Sequence, residues 1–289
     1  MRRLAAALWL ICATAASATI TVQDDAGHAV TLAQSAKRIV SLSPHATELL
    51  YALGAGPHIV GRDGASDYPA EVVKLPAVGQ YGAFNVEAIM ALRPDLVVAW
   101  EGPQAGAATS RLRALGVPVF ASEPDSVARI PATLRALGRL AGLDAAGETQ
   151  ASQFEAGWQA LAARYAHAAP LNVVPQVGTA PAITVNDKQF VAAVFHACGA
   201  RNPYGSETAA VPLLSPESLL ASHPQAIVAL ADTDKEADAW FAQWRTLGLH
   251  AAYLRVPATT LGRPGPRVLP AAQALCAQLD RLRPGAKID

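Results

Sequence analysis

The chain is poor in the features that mark an enzyme, a nucleic-acid binder or a membrane-spanning protein. Its 289 residues contain no G-x-S-x-G nucleophile elbow, no P-loop and no H-E-x-x-H pair, the signatures of serine hydrolases, nucleotide-phosphate cradles and zinc peptidases. Gly54-Ala55-Gly56 follows a helical stretch rather than a strand and lacks the dinucleotide-binding spacing. The seven histidines are scattered, so no histidine cluster points to a metal receptor. Lysine plus arginine and aspartate plus glutamate both total 23, giving zero net charge. There is no basic stripe to hold nucleic acid and no like-charge block to keep a tail disordered.

Cysteine is scarce too: Cys12, Cys198 and Cys276. Cys12 lies within Leu4–Ala13, an apolar stretch preceded by Arg2 and Arg3 and followed by Ala16-Ser17-Ala18. That order is the n-region, h-region and small-x-small site of a secretory signal, with cleavage expected after Ala18. A lipoprotein would use Cys12, but Ile11 stands where a small residue is wanted. The stretch falls short of the roughly 20 apolar residues that span a bilayer, and an exported, soluble mature chain is expected. Cys198 and Cys276 then allow one pairing in an oxidising compartment, or remain as two buried thiols.

What the chain has is a pattern present twice. Asn85 precedes Glu87, and seven residues on comes Pro94, then the apolar run Leu96–Trp100. Ser215 precedes Glu217, and seven residues on comes Pro224, then Ala226–Leu230. Each copy reads as an N-cap, an acid in the first helical turn, a short helix stopped at proline, and a buried strand. Leu115-Gly116 and Leu247-Gly248 each close a following helix. Two similar halves predict two lobes with a cleft between them, an arrangement for capturing a small molecule.

The remaining elements fit that division. Thr19–Leu32 alternates around Asp24-Asp25-Ala26-Gly27-His28 and reads as a hairpin forming an N-terminal flap. A strand at Arg38–Leu42 feeds a helix capped by Ser43 and started by Pro44. Helix Ala107–Leu115, strand Val117–Ala121 and a helix ending near Gly142 complete the first half. In Gly147–Ala168, Phe154, Trp158, Leu161 and Tyr165 fall on one stripe of a long helix. The second half is expected to start with strand Ala182–Val185 and a helix to Ala197, then Glu217's helix and Ala226–Leu230. Helix Lys235–Leu247, strand Ala252–Val256 and helix Val268–Leu282 close it. Short apolar strands alternating with helices predict parallel sheets covered on both faces. The Gly- and Pro-rich loop Thr259–Pro266 joins a strand end to a helix start, where ligands sit in such sheets.

Several segments carry a family likeness: Arg38-Ile-Val-Ser-Leu-Ser-Pro-His-Ala-Thr-Glu48, Ser66-Asp67-Tyr68-Pro69, Asn85-Val86-Glu87 and Leu92-Arg-Pro-Asp-Leu-Val-Val-Ala-Trp100. Pro224-Gln-Ala-Ile-Val228 and Gly265-Pro-Arg-Val-Leu-Pro-Ala-Ala-Gln-Ala-Leu-Cys276 extend it. From Arg38 to about Arg283 the chain resembles the periplasmic cobalamin-binding proteins of ABC vitamin importers, in the helical-backbone class III of substrate-binding proteins. The resemblance implies an α/β fold of two Rossmann-like lobes with parallel sheets, joined by a single long α-helix. The division implied is a signal peptide at 1–18, a first lobe at 19–144, the linking helix at 145–169 and a second lobe at 170–289. It implies no enzymatic activity and no cofactor or metal, with cobalamin or a related corrinoid as transported ligand. The chain would be a monomer handing that ligand to an inner-membrane permease, and Cys198 and Cys276 would pair.

Glu87 and Glu217 match the glutamates that dock each lobe on the permease, although an acid at a helix start also complements the helix dipole. The ligand positions depart from the family more than the scaffold does. Ala65, Tyr81, Val211, Ile183 and Thr259 stand where the family has an aromatic, two tryptophans, a phenylalanine and an aspartate, while Trp100, Arg263 and Arg267 are retained. Fewer aromatics mean less apolar contact for a macrocycle, so haem or a ferric siderophore is the rival ligand. His45, second in its helix, either stands solvated or ligates cobalt or iron. Arg263 would hydrogen-bond ligand amides or phosphate, and Arg267 would do the same or pair structurally.

Overall fold

The computed structural model describes residues 19–80, 83–100 and 105–284, so the signal-peptide reading of residues 1–18 and the assignment of Tyr81 lie outside it. The chain opens with an antiparallel hairpin of β1 (Ile20–Gln23) and β2 (Ala29–Leu32). Then come β3 (Ile39–Ser41), α1 (Pro44–Ala52), β4 (Ile59–Arg62) and a small hairpin of β5 (Gly79–Gln80) and β6 (Ala83–Phe84). Next are α2 (Val86–Ala91), β7 (Leu96–Ala99), α3 (Gly106–Ala114), β8 (Val119–Ala121) and α4 (Ile130–Ala141). The sheet order is β4-β3-β7-β8, parallel throughout. Alternation along β7 explains the covering on both faces. Leu96 and Val98 enter one core with Leu49 and Leu134, while Val97 and Ala99 enter another with Ile89 and Leu112.

After α5 (Asp144–Tyr165) the second lobe repeats the plan. It contains β9 (Leu171–Gln176), a hairpin of β10 (Gly178–Thr179) and β11 (Ala182–Ile183), α6 (Ala192–Ala197), β12 (Ala200–Arg201) and α7 (Pro216–Ala221). β13 (Ala226–Leu230), α8 (Asp234–Arg245), β14 (Ala252–Val256), α9 (Ala258–Leu261) and α10 (Val268–Asp280) follow. The order β12-β9-β13-β14 is again parallel. Ala226 and Val228 face Leu275 and Phe195, whereas Ile227 and Ala229 face Trp240 and Trp244.

The repeated pattern is a repeated structure. Asn85 Oδ1 accepts from the Ala88 amide at 2.9 Å to start α2, and Ser215 Oγ accepts from the Ser218 amide at 3.1 Å to start α7. Each six-residue helix ends before a left-handed residue that precedes the proline, Arg93 at φ 47° and His223 at φ 44°. The next side chain ties down the start of the neighbouring strand. Asp95 accepts from the Lys37 and Arg38 amides, and Gln225 Oε1 accepts from the Asn172 amide.

Three sequence expectations need correction. The first strand of the second sheet is β9 rather than Ala182–Val185, of which only Ala182–Ile183 pairs, in the β10–β11 hairpin. Pro175 hides β9, because proline removes a ladder donor. It is tolerated because β12 pairs only with Leu171 and Asn172, leaving that edge of β9 uncovered at Pro175. β4 is an added strand. Its Gly61 lets Leu92 pack so closely that a Cβ would lie 2.5 Å from Leu92 Cδ1. The long helix begins at Asp144 and ends at Tyr165, earlier at both ends than the expected Gly147–Ala168.

Helix α5 serves both lobes. Ala151 and Phe154 lie in the first lobe's core, Leu161 and Tyr165 in the second's, and Trp158, with Leu269 and Phe190, packs against both. At Gly157 a Cβ would sit 2.5 Å from Leu269 Cδ2, so the glycine admits α10 to this seam. A disulfide between Cys198 and Cys276, both fully buried, ties the end of α6 to α10 across a sequence separation of 78.

Candidate functional site

Because every strand of both sheets runs parallel, the loops leaving their carboxyl ends gather on one edge of each lobe. The first lobe contributes the start of α1, the loop after β4, Trp100 after β7 and Ser122 after β8. The second contributes Asp232 after β13 and the Pro257–Arg267 segment after β14. These edges meet through side chains. Arg263 Nη1 donates to Glu48 Oε1 at 3.0 Å and to Asp67 Oδ1 at 2.6 Å. Arg267 grips the same Glu48 with both Nε, at 2.8 Å, and Nη2, while Nη2 also donates to the Thr259 carbonyl at 3.0 Å. The Arg267 guanidinium lies 4.1 Å from the centre of the Tyr68 ring, a cation–π contact. The Glu48 side chain is only 2% exposed, and an ionised carboxylate that deep requires such partners.

The loop carrying Ala65 and Asp67 is held from beneath by a chain of hydroxyls. Thr47 Oγ1 bonds to Ser41 Oγ and to Ser66 Oγ, each at 2.8 Å, and Ser66 Oγ donates to Asp63 Oδ1. The Ala65 amide donates to Asp63 Oδ2 at 3.0 Å. Burial raises the Asp63 pKa above the usual carboxylate value, against the pull of Ser66 and the Ala65 amide. For Asp67 burial works the same way, but the hydrogen bond and charge of Arg263 outweigh it and the pKa is lowered. The loop therefore presents Asp67 as a carboxylate aimed at the other lobe.

His45 is neither solvated nor free to bind a metal through Nε2. Its ring is buried, with Nε2 2.8 Å from the Ser122 carbonyl and 3.0 Å from Ser122 Oγ. A carbonyl only accepts, so Nε2 carries the hydrogen. Burial lowers the His45 pKa to about 4, with the Arg263 charge adding to the effect against the Ser122 hydrogen bond, so the ring is neutral at physiological pH. Ser122 is in turn fixed by the N-terminal hairpin, which is more than a flap. Asp24 Oδ2 accepts from the Ala121 amide at 3.1 Å, and Asp25 accepts from the Glu123 amide and Thr133 Oγ1, each at 2.8 Å.

Trp100 is 48% exposed at the end of β7. Ile183 is half-buried and bridges to Leu213, itself 65% exposed, close in sequence to the exposed Val211. The Thr259 side chain is occupied: its hydroxyl and amide donate to Asp232 Oδ1 at 2.7 and 2.9 Å. Arg263 is paired across the lobes rather than unengaged, and Arg267 takes the structural role its sequence allowed. Glu87 and Glu217 are exposed away from this network, each in the first turn of its short helix, with Arg111 Nη2 3.6 Å from Glu87.

The structure thus gathers His45, Ala65, Thr259 and Arg263 around one ionic network, and brings Ile183 beside the segment containing Val211. Sequence reasoning missed Glu48, Ser122, Asp232 and the Asp63–Ser66–Thr47 chain. A signal existed for Glu48 alone, an acid directly before Leu49-Leu50 on a helix with no other carboxylate. The others depend on which loops meet. Paired charges, hydroxyls and a neutral imidazole at these sheet edges, together with exposed apolar side chains on both lobes, suit a site that holds a molecule.

Residues 39–252 match the periplasmic binding protein family. Over 252 residues the chain is 35% identical to the vitamin B12-binding protein of Yersinia pestis (strain Pestoides F), covering 86% of this chain and 88% of that one. Among solved structures it is similar to the periplasmic vitamin B12 binding protein BtuF of Vibrio cholerae, with a TM-score of 0.76 and 30% identity over 86% of this chain and 98% of that one. It is also similar to the periplasmic heme-binding protein RhuT from Roseiflexus sp. RS-1 in apo form, with a TM-score of 0.71 and 27% identity over 86% and 99%.

Proposed function

The chain belongs to the periplasmic binding protein family, and on that premise we propose that it captures cobalamin or a related corrinoid and delivers it to an ABC permease. Its relatives are binding proteins rather than enzymes. The observation that carries the ligand is the combination of exposed apolar side chains, Trp100, Tyr68, Val211 and Leu213, with a floor whose charges are paired within the protein. A large, uncharged ligand with amide arms fits that combination, and the likeness to vitamin B12-binding proteins supports it.

In this reading the ligand lies between lobes 19–144 and 170–289, with segment 145–169, most of it in α5, linking them. It is lined by Ala65, Tyr81, Trp100, Ile183, Val211 and Thr259, and His45 and Arg263 shape the floor. The protein acts as a monomer, exported with cleavage after Ala18. Haem is the second reading, favoured by the likeness to the heme-binding RhuT, and Tyr81 would then supply the axial oxygen.

Glu87 and Glu217 are the proposed permease contacts, one on each lobe. Uptake of radiolabelled cyanocobalamin by cells whose only receptor is this chain tests the assignment. Wild type restores uptake, whereas Glu87→Arg with Glu217→Arg abolishes it while the purified double variant still binds ligand. Normal uptake by the double variant would remove the docking role.

A further inference from the structure

The ionic network has a consequence for which ligands the cleft accepts. Arg263 and Arg267 are the guanidinium groups that reach across from the second lobe, and in a cleft that took anions they would be its anchors. Neither is unengaged. Glu48 faces both from a buried position, and Asp67 takes the remaining reach of Arg263 Nη1. Asp67 itself is 57% exposed, so its charge also faces whatever enters. Asp232 adds a third carboxylate beside Thr259. His45, which feels the Arg263 charge, is neutral and supplies no cation. Two carboxylates, Glu48 and Asp67, therefore balance two guanidinium groups at the floor, and the third, Asp232, stands beside them at Thr259.

An anionic ligand arriving here must either displace Glu48 or Asp67 from its arginine or settle for guanidinium groups whose charge those carboxylates already balance. Displacing Glu48 strands a buried carboxylate, and displacing Asp67 leaves two like charges competing for one guanidinium. A neutral ligand pays neither cost, since amide oxygens can accept from guanidinium hydrogens that the carboxylates leave unused.

We propose that Glu48 and Asp67 are specificity-determining residues that act through Arg263 and Arg267, making the cleft select neutral ligands over anionic ones of the same shape. The proposal deepens the corrinoid reading and rests on it for the choice of first ligand. Its test compares dissociation constants for cyanocobalamin and for the monocarboxylic acid formed by hydrolysing one of its side-chain amides, at low ionic strength. The wild-type protein is expected to bind the acid at least about tenfold more weakly, or about 1.4 kcal/mol, with the gap narrowing as salt screens it.

Asp67→Asn, at an exposed position that tolerates the change, should narrow the ratio to about threefold or less. Glu48→Gln keeps the shape of the side chain and one of its two acceptor oxygens while removing the charge, and should narrow it as well. The ratio of the two constants is the readout, because a loss of folding would weaken both ligands together. Equal wild-type binding of amide and acid overturns the proposal, as does a ratio unchanged in both variants. If neither corrinoid binds, the corrinoid reading fails, and haemin against its dimethyl ester measures the charge rule separately. The ester is expected to bind more tightly, and a preference for haemin overturns the rule.

Discussion

The two lobes are joined twice, and the joins differ in kind. Along α5, Phe154, Trp158, Phe190 and Leu269 form an apolar seam, with the Phe154 and Trp158 rings stacked at 6.3 Å. At the cleft, Glu48 and Asp67 meet Arg263 and Arg267 through charge-assisted hydrogen bonds. The seam needs only shape and area, so it fixes the lobes together without caring what lies between them. The ionic join is directional and carries charge, so it is sensitive to what shares its space. Rigidity and selectivity are thus assigned to different parts of one interface.

The contrast can be broken from either side. Trp158→Ala should cost the most, about 3 kcal/mol in denaturant unfolding, because it empties a site shared by both cores. That loss should be the same at low and high salt, and a strongly salt-dependent loss would show that the seam is not apolar in effect.

The next effect is in pH. Burial holds His45 at about 4 in the fold against 6.5 in the unfolded chain. Protonation therefore favours unfolding, and the unfolded chain binds more protons between those values. The His45 contribution is whole above 6.5, is lost as pH falls through that window, and is level below about 4, a total on the order of 3 kcal/mol. His45→Gln should flatten that part of the stability profile. An equally steep profile in the variant would place the acid sensitivity elsewhere.

Asp67→Asn should be the mildest, below about 1 kcal/mol in stability since its side chain is more than half exposed and screened by solvent. A larger loss in Asp67→Asn than in Trp158→Ala would reverse the division of labour between the two joins.

How much of this was legible in the sequence follows the same divide. The doubled Asn85/Glu87/Pro94 and Ser215/Glu217/Pro224 pattern revealed two equivalent lobes because capping, left-handed turns and buried strands are local requirements. The stripe Phe154, Trp158, Leu161 and Tyr165 revealed α5 for the same reason. β9 escaped because Pro175 argues against a central strand, and its tolerance depends on how far β12 extends. The floor escaped because Glu48 and Arg263 are 215 residues apart in sequence, and only the meeting of two sheet edges makes them partners. His45 was readable as a helix-start histidine, but its burial depends on Ser122, which the N-terminal hairpin holds in place from Asp24 and Asp25.

Whether the cleft holds a corrinoid is decided by calorimetric titration of residues 19–289 with cyanocobalamin, with cobinamide and haemin in parallel. Saturable one-to-one binding of the corrinoids is expected, with haemin weak or silent. Tight haemin binding with no heat from either corrinoid would contradict it, keeping the fold and the importer but moving the cargo to haem.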